Sequence, residues 1–202
     1  MRSLRRLLLL ALLTTTLSGC LRLAKSYPER HEYLLAAERT APARGNGGAD
    51  TVLAVQPFRS SPAFAKRPFL VKSGPSQFEP DFYHLFLVPP DRNVTEVAAS
   101  WLDASGVFGQ VVPSSSAAPP THVLEGRVVS LHGEYGAQPA AHLTLQATLL
   151  DLRGNAPKVA LHRTYEETAP LAKGTPEALA DGWNRALAAV LTRLETDIAA
   201  AQ

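Results

Sequence analysis

The chain is poor in sulfur and in charge. Its 202 residues hold one cysteine and one methionine, and only 19% are Asp, Glu, Lys or Arg. A lone cysteine closes no internal disulfide and excludes any metal centre or redox pair that needs two thiolates. No Gly-Lys pair occurs, so there is no phosphate-cradling P-loop, and no G-x-S-x-G marks a hydrolase nucleophile elbow. His31-Glu32-Tyr33-Leu34-Leu35 opens like the H-E-x-x-H motif of zinc proteases, but Leu35 stands where the second histidine belongs. With 20 Lys+Arg against 18 Asp+Glu the net charge is +2, too weak a bias to argue for nucleic acid. Long apolar runs are missing as well. The longest, Leu7–Leu13, falls far below the roughly 20 residues that a spanning helix needs.

What remains suits one folded domain. A hydrophobic content of 46% buries a core, and the length is that of a single ordinary domain. The informative segment is the first twenty residues. Arg2, Arg5 and Arg6 precede the run LLLLALL, and Leu17-Ser18-Gly19-Cys20 follows three threonines. A basic region, a short apolar region and small residues before a cut make a secretory signal. The sole cysteine directly after Leu-Ser-Gly resembles a bacterial lipobox. In that reading the chain is cut after Gly19, and Cys20 carries a diacylglycerol and an N-acyl chain; the competing reading is an ordinary signal with a chance cysteine. Two or three acyl chains, at roughly 0.8 kcal/mol per buried methylene, hold a protein on a membrane stably. Losing 1–19 removes three arginines and no acid, which takes the net charge from +2 to −1. Leu21 after the cysteine, in place of an inner-membrane-retaining Asp, favours the outer membrane.

Residues 20–31 read as the lipidated N-terminus and tether, and 32–202 as one α/β domain. From Leu21 to His31 the tether extends at most about 40 Å, which keeps the domain near its membrane. Strands are expected at Glu32–Ala36, Thr51–Phe58, Phe69–Lys72, Gln77–Val88 and Phe108–Val112. Loops are expected at Pro42–Ala49 and Pro113–Pro120. Asp91 stands as the N-cap of a helix whose apolar stripe is Val94, Val97, Ala98, Trp101 and Leu102, ended by Gly106. His122–His132, Ala141–Leu152 and Lys158–Thr168 predict a three-strand antiparallel meander, with Leu143, Leu145, Ala147 and Leu149 on one face of its middle strand. Thr175 caps the last helix, Pro176 opens it, and its apolar stripe runs from Leu179 to Ile198; Asp181 and Arg185 stand at i,i+4. The expected fold class is therefore α/β: a mixed, partly antiparallel sheet flanked by amphipathic helices in a single domain.

Few residues invite a chemical role. His132, His142 and His162 fall one on each meander strand, and neutral imidazoles from adjacent strands can bind zinc, but the favoured reading is a polar sheet face or strand ends that happen to use histidine, and no metal site is expected. Asp151 and Glu166-Glu167 read as solvated charges. Asn93-Val94-Thr95 spells a glycosylation acceptor with no expected use in a bacterial lipoprotein. No catalytic constellation is present, and no cofactor is expected beyond the acyl chains on Cys20.

The lipobox, then Leu53–Phe58 (LAVQPF), Phe69–Lys72 (FLVK), Tyr83–Pro90 (YHLFLVPP), Leu102–Val112 (LDASGVFGQVV), Leu124–Ser130 (LEGRVVS), Leu143–Leu152 and a closing amphipathic helix together resemble the ABC-type transport auxiliary lipoprotein family. That group includes the paraquat-inducible C-type lipoprotein, and the likeness spans nearly all of the chain after Gly19. It rests on order and spacing. Phe86 stands where the family commonly has Trp, and Lys72 where Arg is frequent. The resemblance implies an α/β lipoprotein, non-enzymatic and facing the periplasm, that assists an ABC system. The partner would be that system's substrate-binding protein with a mammalian-cell-entry (MCE) domain, in a machine moving lipids or other apolar molecules across the envelope. Tyr83 and Phe86 are the candidate partner contacts, and a homo-oligomer is compatible with this role. The alternative is an outer-membrane scaffold or activator for cell-wall or secretion machinery.

Overall fold

The pattern of apolar residues alternates between a period of two and a period near 3.6, and the elements follow it. The computed structural model describes residues 29–44 and 47–202. Leu17, Ser18, Gly19 and Cys20 therefore lie outside the described residues. In chain order the elements are β1 (His31–Tyr33), β2 (Val52–Val55), β3 (Arg59–Ser60), β4 (Pro68–Lys72), β5 (Phe78–Phe86), α1 (Pro90–Ser105), β6 (Gln110–Pro113), β7 (His122–Glu134), β8 (Ala140–Asp151), β9 (Lys158–Pro170) and α2 (Pro176–Ala200). A single 3-10 turn, Pro62–Phe64, lies between β3 and β4.

All nine strands join one mixed sheet, and β7 is its spine. One edge of β7 carries the antiparallel β8, which in turn carries β9. The other edge is shared by three short strands, all parallel to it: β2 at its start, β3 in the middle and β4 at its end. From β2 the sheet continues to β6; from β4 it continues through antiparallel β5 to β1. The expected meander is therefore present, with parallel pairings added along its free edge.

Both helices pack on one face of this sheet. Thr175 caps α2, its hydroxyl accepting from the Ala178 N–H, and Pro176 follows at the first helical position. The stripe Leu179, Trp183, Ala186, Leu187, Val190, Leu191, Leu194 and Ile198 is buried throughout. It meets the buried face of β8, where Ala141, Leu143, Leu145, Ala147 and Leu149 alternate with half-exposed neighbours. Close approach is paid for in side-chain size: a Cβ on Gly182 would lie 2.7 Å from the Ala141 Cβ and 2.4 Å from Leu171 Cδ2. Trp183 is the centre of an aromatic knot, edge-on to Phe69 at 4.7 Å and tilted against Phe86 at 5.1 Å.

Three local expectations are corrected. The first strand stops at Tyr33 rather than Ala36, because Leu35 turns into the core and bonds a side chain instead of a strand: Asn93 Oδ1 accepts its N–H at 2.7 Å and Asn93 Nδ2 donates to its carbonyl at 3.1 Å. Asp91 is not the cap of α1. Pro90 already holds the first helical position, with Pro89 before it, so Asp91 falls inside the first turn and accepts from the Ser60 N–H at 3.2 Å. Arg185 donates to the Pro170 carbonyl at 2.8 Å rather than pairing with Asp181, because the end of β9 lies nearer than the exposed helix face. Gly106 does end α1, in the left-handed region at φ 68°, where only glycine is unstrained.

Candidate functional site

A bulge in β7 decides which of its side chains reach solvent. Between Val128 and Ser130 the pairing with β8 shifts, leaving Val129 as an extra residue. Before the bulge, His122, Leu124 and Val128 point to the helices; after it, Leu131 and Gly133 do. An added residue inverts the facing of everything that follows. His132 and Glu134 are thereby moved from the core side to the outer face.

There they meet His142, which β8 places directly opposite His132. The two imidazoles stack at 4.8 Å with 13° between their planes. Glu134 follows on the same face, with Oε2 3.7 Å from His142 Nε2 and Oε1 3.9 Å from His132 Nε2. Lys72, paired with Glu134 across β4 and β7, donates to Oε1 at 2.9 Å. Thr168, opposite His142 on β9, holds His142 Nδ1 at 3.1 Å. Phe64 lies over His132, and Phe78 meets it edge-on at 5.4 Å. Beneath, Trp183 Nε1–H donates to the His132 carbonyl at 3.2 Å, fixing the strand from the core side. His132 Nδ1 and His142 Nε2 are buried without a hydrogen-bond partner. Burial, and then the neighbouring His142, pushes His132 down to about 4, so its ring is neutral at pH 7. Lys72 holds the Glu134 carboxyl below its usual range.

The three meander histidines do not assemble. His162 sits opposite Thr148, far down β9 from the stacked pair, and its Nδ1 meets that hydroxyl at 2.8 Å. The third group beside His132 and His142 is Glu134, a residue that alternation from His122 would have buried.

A second feature lies on β5. Asp81 pairs with Phe69 and Leu85 with Pro68, so Phe82, Tyr83 and His84 form a three-residue outward bulge. Asp81 closes it: Oδ1 accepts the N–H groups of Tyr83 and His84, and Oδ2 meets His84 Nδ1 at 2.7 Å. The bulge thrusts Phe82 and Tyr83 into solvent at 69% and 44% exposure. His84 stacks on His31 of β1, so the bulge lies beside the point where the chain enters the fold. Phe86 does not share this surface. At 3% exposure, wedged between Phe69 and Trp183, it is a core residue with no face to offer a partner. Lys72 likewise is engaged with Glu134.

Elsewhere the polar groups serve the fold. Thr121, His122 and Asp151 line up like a catalytic triad, yet each is committed: the Thr121 hydroxyl accepts from the Val52 N–H and donates to the Val52 carbonyl, His122 is buried, and Asp151 lies 4.0 Å from it, gripped by Arg153 at 2.8 Å. Glu167 pairs with Arg193. Asn93, read as a glycosylation acceptor, is buried against Leu35. Across the helices, Glu195 receives Arg39 at 2.9 Å, Arg44 at 2.7 Å and the Trp101 indole at 2.9 Å, fastening the segment after β1 to both helices. An open groove of about 880 Å³ runs beside β3 and β7, where Arg59 and Arg127 are register partners above Phe58 and Gly126. No described helix is long and apolar enough to cross a membrane.

The comparisons with known proteins agree with this architecture. The family model of the ABC-type transport auxiliary lipoprotein component matches residues 33–195. A crystal structure of a Xanthomonas campestris protein superposes with a TM-score of 0.72 at 19% identity, covering 84% of this chain and 96% of the other. An uncharacterised protein gives 0.67 at 14% identity, with 84% and 99% covered. A hypothetical protein of Chlamydia trachomatis gives 0.53 at 13% identity, with 74% and 98% covered. At these identities the likeness is one of fold. No curated protein matches the chain.

Proposed function

Since this chain belongs to the ABC-type transport auxiliary lipoprotein family, we propose that it is a non-enzymatic lipoprotein, anchored by acyl chains on Cys20 in the outer membrane and facing the periplasm. It docks the MCE-domain protein of an ABC system that moves lipids or other apolar molecules between the membranes. The observation that supports docking is the β5 bulge. Phe82 and Tyr83 stand out from a strand otherwise tied into the sheet, and Asp81 holds the backbone of Tyr83 and His84 in place. Fixed exposed aromatics have the character of interface anchors, because they bury much area at little entropic cost. They lie beside β1, the first described strand, and in this reading a partner spanning from the other membrane meets the domain on that side.

The test is recovery of partners from detergent-solubilised envelopes. The wild-type chain is expected to bring down the MCE protein and its permease. The double variant Phe82→Ala, Tyr83→Ala should lower that recovery about tenfold or more while leaving thermal unfolding unchanged, since both side chains are exposed. Recovery of cell-wall or secretion proteins instead would favour the scaffold reading, and an undiminished MCE yield from the double variant would move the contact elsewhere.

A further inference from the structure

Three donors converge on the outer face of the sheet without a task in the transport reading. His132 and His142 are cross-strand neighbours, Glu134 is two residues along from His132, and one ligand atom from each lies within 4.8 Å of the other two. We propose that His132, His142 and Glu134 bind a divalent transition metal of the zinc class. The proposal is independent of the docking surface on β5.

The donor set fits that chemistry. Two imidazoles and one carboxylate, with a fourth position open, make a common three-ligand zinc set, and thiolates are not required. In a tetrahedral site with bonds near 2.0–2.1 Å, ligand atoms lie roughly 3.3 Å apart. His142 Nε2 lies 3.7 Å from Glu134 Oε2 and His132 Nε2 3.9 Å from Oε1, and one donor atom from each residue lies within 4.8 Å of the others, so the three must draw together on binding. Small rotations about the side-chain torsions close the remainder. Supporting groups are in place. The Thr168 hydroxyl lies 3.1 Å from His142 Nδ1; in the tautomer protonated there, Nδ1–H donates to it and Nε2 is left free to ligate, which is how outer groups commonly orient a ligating imidazole. The Trp183 bond to the His132 carbonyl fixes the strand beneath.

The site also accounts for one of two costly features on this face, that at His142. His132 Nδ1 and His142 Nε2 are buried polar atoms without partners, and each such atom costs roughly 1–3 kcal/mol when left unsatisfied. A metal bound at Nε2 of His142 removes that deficit there. Phe64 and Phe78 form an apolar wall on the His132 side. Glu134 remains part-exposed, so the site is open to entry from solvent. The competing cation is Lys72, whose ammonium now occupies Glu134 Oε1. Binding swings this flexible side chain away to water.

The experiment is calorimetric titration of Zn²⁺ into the untagged, metal-stripped full chain in detergent, with metal content measured after dialysis. One Zn²⁺ per chain is expected. His142→Asn and Glu134→Gln should each weaken binding by about tenfold or more, and Lys72→Met should tighten it. His84→Asn, at the other stacked histidine pair, should leave it unchanged. Far-UV dichroism and thermal unfolding of the metal-free variants establish that each is folded, and Co²⁺ added to wild type should show the visible absorption of a four-coordinate site. Absence of binding at submillimolar Zn²⁺ overturns the proposal. So does binding that survives His142→Asn and Glu134→Gln together, or that is lost in His84→Asn.

Discussion

Single residues show most clearly how context sets role. Glu195 is a charged group near the end of an apolar helix, and it is 4% exposed. Arg39 holds it down to about 2 from an ordinary 4.5, with Arg44 and the Trp101 indole adding to the effect against desolvation. Because the folded value is the lower one, this contribution is fully present above the unfolded value and is lost as pH falls from about 4.5 toward 2. The shift corresponds to about 3 kcal/mol, and urea unfolding followed over that range should show the decline. Glu195→Gln should flatten the decline and cost about 3–5 kcal/mol at neutral pH, because it strands the Arg39 guanidinium beside a neutral amide. Phe86 teaches the complementary lesson. An aromatic on a strand has the same sequence signature whether it packs against Trp183 or faces a partner, and only its neighbours separate the two.

Among the elements, α2 and the meander were the most legible, and for a physical reason. A long amphipathic period and a strict alternation each point to one burial pattern, as at Leu143, Leu145, Ala147 and Leu149. Their close packing gives a prediction in which two effects oppose each other. Helix propensity alone says that Gly182→Ala should stabilise α2 by about 1 kcal/mol. The new methyl would stand 2.7 Å from the Ala141 Cβ, and overpacking of that kind costs about 1–3 kcal/mol. A lower midpoint in thermal unfolding is therefore expected. Less legible were the elements set by distant partners. The segment after β1 takes its path from Asn93, Asn184 and Glu195, which lie far along the chain. The β7 bulge left only a faint trace, the doubled Val128-Val129 before Leu131. That trace is what transfers His132 and Glu134 to the outer face.

For the whole molecule, the sheet sets the two exposed features on different strands, with the cluster on β7 and β8 and the aromatic bulge on β5. The anchor reading makes its own prediction. Cys20→Ala should shift the chain from the membrane fraction to the soluble fraction on cell fractionation, without changing the midpoint of unfolding, since the first strand among the described residues is His31–Tyr33, well beyond Cys20 in the chain. Retention of that variant in the membrane would assign the attachment to another part of the chain.

Local order is what the sequence by itself determined: the period of each long strand and helix, the caps at Thr175 and Gly106, and the absence of common catalytic motifs. Such features depend on neighbours a few residues away, so they are written in the order of the residues. Tertiary structure alone decided which side chains meet. His132 finds His142 and Glu134, and leaves His162 behind, because the Val129 bulge and the pairing register fix which residues stand opposite. Register is a property of two strands at once, and one strand's sequence does not carry it.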